Sequence, residues 1–233
     1  MKIFCKGFNF SQDGPGNRLV YHLQGCNMHC PWCSNPEGMP LCGGKEYAVS
    51  DIVEECKKSR AMFFSGGGVT FTGGEATLQK DELTEALMAL KSAKIHTAIE
   101  TNGTSSALCE IQKYVDYLIM DFKHYDGDVL LAVTGANNTV LKKNFEYNCE
   151  SGRQQHIRIP LINGFNADDP QGFAEYFSRF DTSRTVFEFL PYHEYGKKKW
   201  IGEYTVKDGF VSPETIENFK NTFKKYGLNL INT

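Results

Sequence analysis

Cys26, Cys30 and Cys33 stand in one stretch, GCNMHCPWCSNPEG (residues 25–38), with three residues between the first pair and two between the second. Thiolates this close serve metals or thiol exchange. A structural zinc ion wants four ligands in a closed tetrahedron, usually two pairs far apart in sequence, and the second pair is missing. His29 lies inside the loop, but neighbouring residues rarely turn their side chains onto one ion. A thioredoxin-like pair of Cys30 and Cys33 would open a helix after a strand and leaves Cys26 without a role. A 4Fe-4S cluster fits best, because thiolates normally hold each of its four irons. Three thiolates leave one iron open to a small molecule, as an open catalytic metal site differs from a closed structural one. Cys42 follows nine residues after Cys33 with no cysteine partner at short spacing, and Cys5, Cys56, Cys109 and Cys149 are scattered. These five read as small, buried or half-buried side chains.

The chain that must position this loop has 233 residues, 41% of them hydrophobic and 23% charged, with a net charge of -3. That is an ordinary globular composition, and a weak negative charge gives no reason to bind nucleic acid. MKIFCKGFNF has no apolar export core, and no run of 18 apolar residues follows, so a cytoplasmic protein with no membrane partner is expected. Such a chain has core enough to fold without disulfides, so its thiols are expected to stay reduced. No repeat or Pro/Gly/Ser-rich linker divides it, which predicts a single domain over residues 1–233.

Short β-branched or aromatic runs alternate with amphipathic stretches. The predicted strands are Arg18 to Gln24, Val69 to Thr72, Ile95 to Glu100, Tyr117 to Asp121, His156 to Pro160 and Thr185 to Leu190. Between them Leu83, Ala86, Leu87 and Leu90 share one helical face, as do Leu108, Ile111 and Val115, and Phe173, Phe177 and Phe180. Ser50 is the expected N-cap of a helix starting at Asp51. Ile216, Phe219, Phe223 and Tyr226 make a last stripe between Pro213 and Gly227. Strand-helix repetition implies parallel strands with right-handed crossovers. Each strand ends in unusual chemistry: the cysteine loop, Gly73-Gly74-Glu75, Glu100-Thr101-Asn102-Gly103, Asp121-Phe122-Lys123, Arg158, and Pro191-Tyr192-His193. Polar groups at every strand end suit a barrel with its site on the C-terminal rim, whereas an open doubly wound sheet gathers them at one switch point. The expectation is α/β, a partial (β/α)6 barrel of parallel strands with outer helices.

CX3CX2C after a first strand, with Gly73-Gly74-Glu75 after a second, resembles the radical S-adenosylmethionine superfamily. DGPGNR (13–18), QGCNMHCPWC (24–33), SGGGVTFTGGEATLQ (65–79), IHTAIETNG (95–103), LIMDFKHY (118–125) and LPYHEYGKKKW (190–200) are similar, in order and spacing, to blocks of the activating enzymes of glycyl radical enzymes, above all those of pyruvate formate-lyase. The likeness covers all but the first and last few residues. It implies an enzyme in which Cys26, Cys30 and Cys33 hold a 4Fe-4S cluster whose open iron is chelated by S-adenosylmethionine. It also implies that Trp32, Cys33, Ser34, Gly74, Glu75, Asp121, Phe122, Lys123 and His193 line that cofactor, and that Asp13 receives the partner's glycine loop.

Residue chemistry agrees with those implied roles. Glu75 suits an ammonium and Lys123 a carboxylate, and Trp32 offers a flat face to adenine. Reductive cleavage of the sulfonium would yield a 5'-deoxyadenosyl radical able to take a hydrogen atom from a glycine of a partner glycyl radical enzyme. A flavodoxin- or ferredoxin-type reductant, anaerobic conditions and a monomeric chain go with the resemblance. Glu100 departs from it, standing where the nearest relatives carry an aspartate linked to a monovalent cation. CPWCSNPEG is similar to activases of dehydratase-like and decarboxylase-like partners, whose ferredoxin-like insert is missing here. Lys197-Lys198-Lys199 reads as a solvated charge run, with partner docking as the alternative. Two other functions stay in view: a radical enzyme acting on a small molecule or peptide without storing a glycyl radical, and a non-enzymatic electron carrier.

Overall fold

The computed structural model describes residues 1–231; the last two of the 233 residues expected in one domain lie outside them. The strands are β1 (Lys2–Phe10), β2 (Asn17–Leu23), β3 (Lys45–Glu46), β4 (Gly68–Gly73), β5 (Thr97–Thr101), β6 (Tyr117–Asp121), β7 (Gln155–Leu161) and β8 (Thr185–Pro191). The α-helices are α1 (Val49–Lys58), α2 (Lys80–Ser92), α3 (Leu108–Ile111), α4 (Gly127–Thr134), α5 (Thr139–Glu150), α6 (Pro170–Phe177) and α7 (Pro213–Lys225). Strand order along the sheet is β3-β1-β2-β4-β5-β6-β7-β8. The sheet is mostly parallel and not closed. All six expected strands are present, within three residues at each end.

The described residues form two compact units, each assembled from three stretches: residues 1–27, 35–101 and 105–119, and residues 28–34, 102–104 and those from 120 onward. In the first unit β2 runs parallel to β4 with Arg18 opposite Gly68 and Leu23 opposite Gly73, and β4 runs parallel to β5. β1 lies antiparallel on the other side of β2 and also pairs β3; neither was expected. Leu83, Ala86, Leu87 and Leu90 of α2 are each fully buried against Val69, Phe71 and Ile99, as the i, i+3, i+4, i+7 spacing requires. Burying one such leucine contributes about 1.5–3 kcal/mol. The Tyr21 ring stacks on Phe71 with centroids 5.6 Å apart.

The second unit has a core of rings. Phe177 lies 4.8 Å from Phe122, 4.7 Å from Phe187 and 5.1 Å from Phe145, so α6 is seated on the residue after β6, on β8 and on α5 through one side chain. β7 and β8 are parallel, with Arg158 opposite Glu188. Asp126 caps α4 by accepting from the amides of Asp128 and Val129. Ser212 caps α7 ahead of Pro213, and Gly227 follows the helix at φ 71°, which only glycine adopts without cost.

Three helical expectations need correction. α1 starts at Val49 and its N-cap is Ala48, not Ser50; Val49 is buried in the core, so packing extends the helix past the residue best suited to cap it. The Leu108 stripe forms only one turn before a 3-10 segment, and Val115 is extended, leading into β6. α6 ends at Phe177, so Phe180 lies beyond it, although its ring still meets Phe145 at 5.5 Å.

Candidate functional site

In the first unit the site residues follow β2, β4 and β5. The Gly74 amide donates to the Leu23 carbonyl at 2.9 Å and the Glu75 amide to the Gly25 carbonyl at 2.7 Å, so the GGE turn is bonded to the base of the cysteine loop. A Cβ on Gly74 would lie 2.1 Å from the Gly25 carbonyl oxygen; only glycine permits this approach. The returning chain closes the loop from its other side, because Gly25 and Cys26 donate to the carbonyls of Gly38 and Met39 at 2.8 and 3.0 Å. Gln24 spans the same base, its amide nitrogen donating to Glu37 and Pro40. Cys26 is thereby fixed at the mouth of β2 and is half-buried.

Glu75 is fully buried. Its Oε1 accepts from the Thr77 amide at 3.1 Å, from the Thr77 hydroxyl and from the Thr101 hydroxyl at 2.6 Å. One carboxylate oxygen thus caps the 3-10 turn Ala76–Gln79 and ties it to β5. Thr77 was missed by the sequence reading, and Thr101 was noted only within the segment after the third expected strand; the threonine two residues after an acidic cap is the signal that finds Thr77. Half-buried Glu100 accepts from Thr72 at 3.2 Å. Asp13 lies apart from these strand ends, on the 11–16 connection. Its carboxylate accepts from Asn9 and its backbone carbonyl from Thr70 at 2.7 Å.

Arg18 organises that connection. Fully buried, it donates to Thr70 Oγ1 at 2.6 Å, to the Val69 carbonyl at 2.7 Å and to the Pro15 carbonyl at 3.0 Å. Burial lowers its pKa to about 10 against the favourable field of Asp13, so it remains a cation at neutral pH. The triple glycine 66–68 is more than a turn: a Cβ on Gly67 would lie 2.0 Å from the Asn17 carbonyl oxygen.

The second unit carries Cys30, Trp32, Cys33 and Ser34, with Asp121, Phe122, Lys123 and His193. Cys30 is buried, Cys33 half-buried, and the Cys33 amide closes a turn on the Cys30 carbonyl at 3.1 Å. No cysteine among the described residues is in a disulfide. Trp32 packs on Phe165 with centroids 4.6 Å apart, and Phe165 leans on His124. The Trp200 indole donates to the Cys33 carbonyl at 3.1 Å and the Lys199 ammonium to the Ser34 carbonyl at 3.1 Å.

Beyond β6 the alternation of the strand separates neighbours. Phe122 faces the ring core at full burial, so its side chain is structural, and its amide donates to the Arg158 carbonyl at 2.8 Å. Lys123 pairs with Asp121 at 2.8 Å, whereas Asp121 Oδ1 is buried with no hydrogen-bond partner. A bare buried acceptor is costly and asks for a donor or a cation. Asn166, another residue missed from sequence, donates to the carbonyls of Lys123 and Pro160 at 2.9 and 2.7 Å and is fully buried. It joins the ends of β6 and β7; its place in an Asn-rich loop just after a strand is the only sequence signal. His193 stacks on Tyr195 at 4.2 Å, and burial lowers its pKa, so it is neutral at pH 7.

The donor set fits a 4Fe-4S cluster with one iron left open: three cysteines, none oxidised to a disulfide. Among the described residues no three His, Cys, Asp or Glu side chains are gathered as a ready-made ion site, so the cluster assignment rests on ligand type, number and spacing. For a cofactor bearing an ammonium, the vacant Asp121 Oδ1 supplies the matching acceptor.

Comparison with known proteins bears on the same residues. The profile described as Radical SAM superfamily matches residues 20–177. The chain is 34% identical over 225 residues, 92% of each protein, to the pyruvate formate-lyase 1-activating enzyme of Escherichia coli (strain K12). It is 27% identical to the 4-hydroxyphenylacetate decarboxylase activating enzyme of Clostridioides difficile (strain CD196), covering 93% of this chain and 90% of the relative. That alignment spans 287 positions against the 233 residues here, so the relative holds residues this chain lacks. A solved domain of a pyruvate-formate lyase-activating enzyme from Bacteroides vulgatus ATCC 8482 superposes with TM-score 0.60 at 28% identity, over 71% of this chain and 98% of that one. The chain belongs to the radical S-adenosylmethionine superfamily, among the activating enzymes of glycyl radical enzymes.

Proposed function

We propose that the protein activates a pyruvate formate-lyase-like glycyl radical enzyme, using a 4Fe-4S cluster on Cys26, Cys30 and Cys33 and S-adenosylmethionine as co-substrate. The observation that carries this reading is the 92% coverage, in both directions, of a pyruvate formate-lyase 1-activating enzyme at 34% identity. When bound, the cluster and its co-substrate supply a one-electron cleavage of the sulfonium to methionine and a 5'-deoxyadenosyl radical, which takes a hydrogen atom from a glycine of the partner. Every other contribution belongs to the protein as binding, orientation and exclusion of water.

The closed base of the cysteine loop holds Cys26 at the mouth of β2. Asp121 Oδ1 would accept from the co-substrate's ammonium, and Glu100 would be the carboxylate for a monovalent cation. Lys123, held by Asp121, meets the co-substrate's carboxylate. Gly74 and the Glu75 backbone contact the methionyl end, and Trp32, Ser34 and His193 contact the nucleoside. Asp13 meets the partner's glycine loop. A flavodoxin- or ferredoxin-type reductant delivers the electron to a cytoplasmic, monomeric protein with a single domain and no ferredoxin-like insert, in keeping with the extra alignment positions of the decarboxylase-type relative.

Anaerobic incubation of the reconstituted protein with S-adenosylmethionine, a reductant and purified pyruvate formate-lyase tests the reading. A glycyl radical doublet by electron paramagnetic resonance, together with 5'-deoxyadenosine, is expected. Cleavage without a doublet, on this partner and on 4-hydroxyphenylacetate decarboxylase alike, would move the protein to chemistry on a small molecule or peptide. Cys30→Ala should abolish visible cluster absorbance and cleavage; retained activity would sink the ligand assignment. Asp13→Ala should leave cluster and cleavage intact and slow activation at least tenfold.

A further inference from the structure

The lysine run that looked solvated ends on the cysteine loop. In the second unit, residues 196–200 lie along Cys33 and Ser34: a Cβ on Gly196 would meet the Ser34 Cα at 2.5 Å and the Cys33 carbonyl oxygen at 2.7 Å. The Trp200 indole N–H and the Lys199 ammonium then reach the two successive carbonyls, each at 3.1 Å. Trp200 is itself oriented, its ring meeting Tyr204 edge-on at 5.7 Å. Tyr204 in turn hydrogen-bonds Tyr192 at 2.8 Å, one residue past β8. Lys197 instead pairs with Glu194 at 2.9 Å, so Lys197 and Lys199 have different partners.

We propose that Trp200 and Lys199 are positioning residues for the cysteine loop, fixing the peptide planes after the last thiolate and thereby the cluster's orientation toward its co-substrate. The proposal rests on the assignment of Cys33 as a cluster ligand. The Cys33 amide also closes a local turn on the Cys30 carbonyl at 3.1 Å. A peptide plane pinned by a fixed donor cannot rotate the thiolate away, and partners outside the ligand shell typically set tenfold to hundredfold effects on metal affinity or activity. Lys199 is exposed and its charge is screened, so Trp200 has the larger effect. The lysine adds positive charge beside the loop, and local charge is one determinant of cluster potential.

The test uses the full-length, anaerobically reconstituted protein and three variants: Trp200→Phe, which keeps a ring and loses the N–H, Lys199→Met, and Lys198→Met as the neighbouring control. Iron content, the resonance spectrum of the reduced cluster with and without S-adenosylmethionine, and KM and kcat for its cleavage are measured. Trp200→Phe should bind iron as the parent does, show an altered spectrum on adding S-adenosylmethionine, and lose about tenfold in kcat/KM, mostly through KM. Lys199→Met should change in the same direction by less, with a more negative midpoint potential, and Lys198→Met should match the parent. Parent-like spectra and KM in Trp200→Phe would overturn the proposal; if that variant does not fold, a parent-like spectrum and potential in Lys199→Met overturn it. A parent protein that takes up no iron would instead overturn the cysteine assignment beneath it.

Discussion

At the scale of single residues, chemistry and structure share side chains. Glu75, the expected ammonium ligand, spends one carboxylate oxygen on Thr77 and Thr101, whereas Asp121 keeps a buried oxygen bare. Buried carboxylates are tolerated only when their oxygens find donors, so the unfilled one marks where a ligand contributes most. His124 makes a prediction about pH. It is buried among Phe165, Phe173 and Tyr125, and its Nδ1 accepts from the Asp126 amide at 2.9 Å. Burial lowers its pKa below the ordinary 6.5, outweighing the opposing fields of Asp126, Asp169 and Asp168. The unfolded chain therefore binds this proton first as pH falls, so the stabilisation is full above the ordinary histidine value and is lost below it. Thermal melts from about pH 7.5 to about pH 5 should show Tm falling, and less steeply in His124→Gln, which cannot titrate but keeps an acceptor. Equal slopes would rule the assignment out.

At the scale of elements, the connection between β1 and β2 depends on one side chain. Arg18 reaches Thr70, Val69 and Pro15 from within the strand that leads to the cysteine loop, and the Asp13 carbonyl is held by the same Thr70 hydroxyl. Arg18→Met would take a donor from each of those acceptors, at roughly 1–3 kcal/mol for each one left buried and unpaired. Urea unfolding should register the loss, and limited proteolysis should cut between residues 11 and 16 well before it does in the parent. A variant as stable and as resistant as the parent would show that the connection holds itself. The segment presenting Asp13 is thus ordered by a cation that never touches solvent, and this lets Asp13 be altered without disturbing the strand.

At the scale of the whole molecule, ligand binding should appear as stability. S-adenosylmethionine at a hundred times its dissociation constant should stabilise the reconstituted protein by about 2.7 kcal/mol, a Tm rise of roughly 5–10 °C for a chain of this length. Calorimetry under anaerobic conditions checks this, and no shift at saturating co-substrate would remove the molecule from the site. No helix among the described residues is long and apolar enough to cross a membrane. The six strands leading to chemistry, the α2 face and the ends of α7 were legible in the sequence, because alternation, 3.6-residue periodicity, Pro and Gly are local signals. β1 was not, since most of its residues are exposed and its hydrophobic contrast is weak. The number and spacing of the cysteines, and so the open iron of any cluster they hold, were determined by the sequence alone, because covalent distance along a short loop limits what its thiols can share. Which carboxylate oxygen stays bare, which way Phe122 points, and the arrival of Lys199 and Trp200 on carbonyls 165 and 167 residues away were decided only by the tertiary structure. Those partners meet through the burial of distant apolar faces, and no local pattern encodes such a meeting.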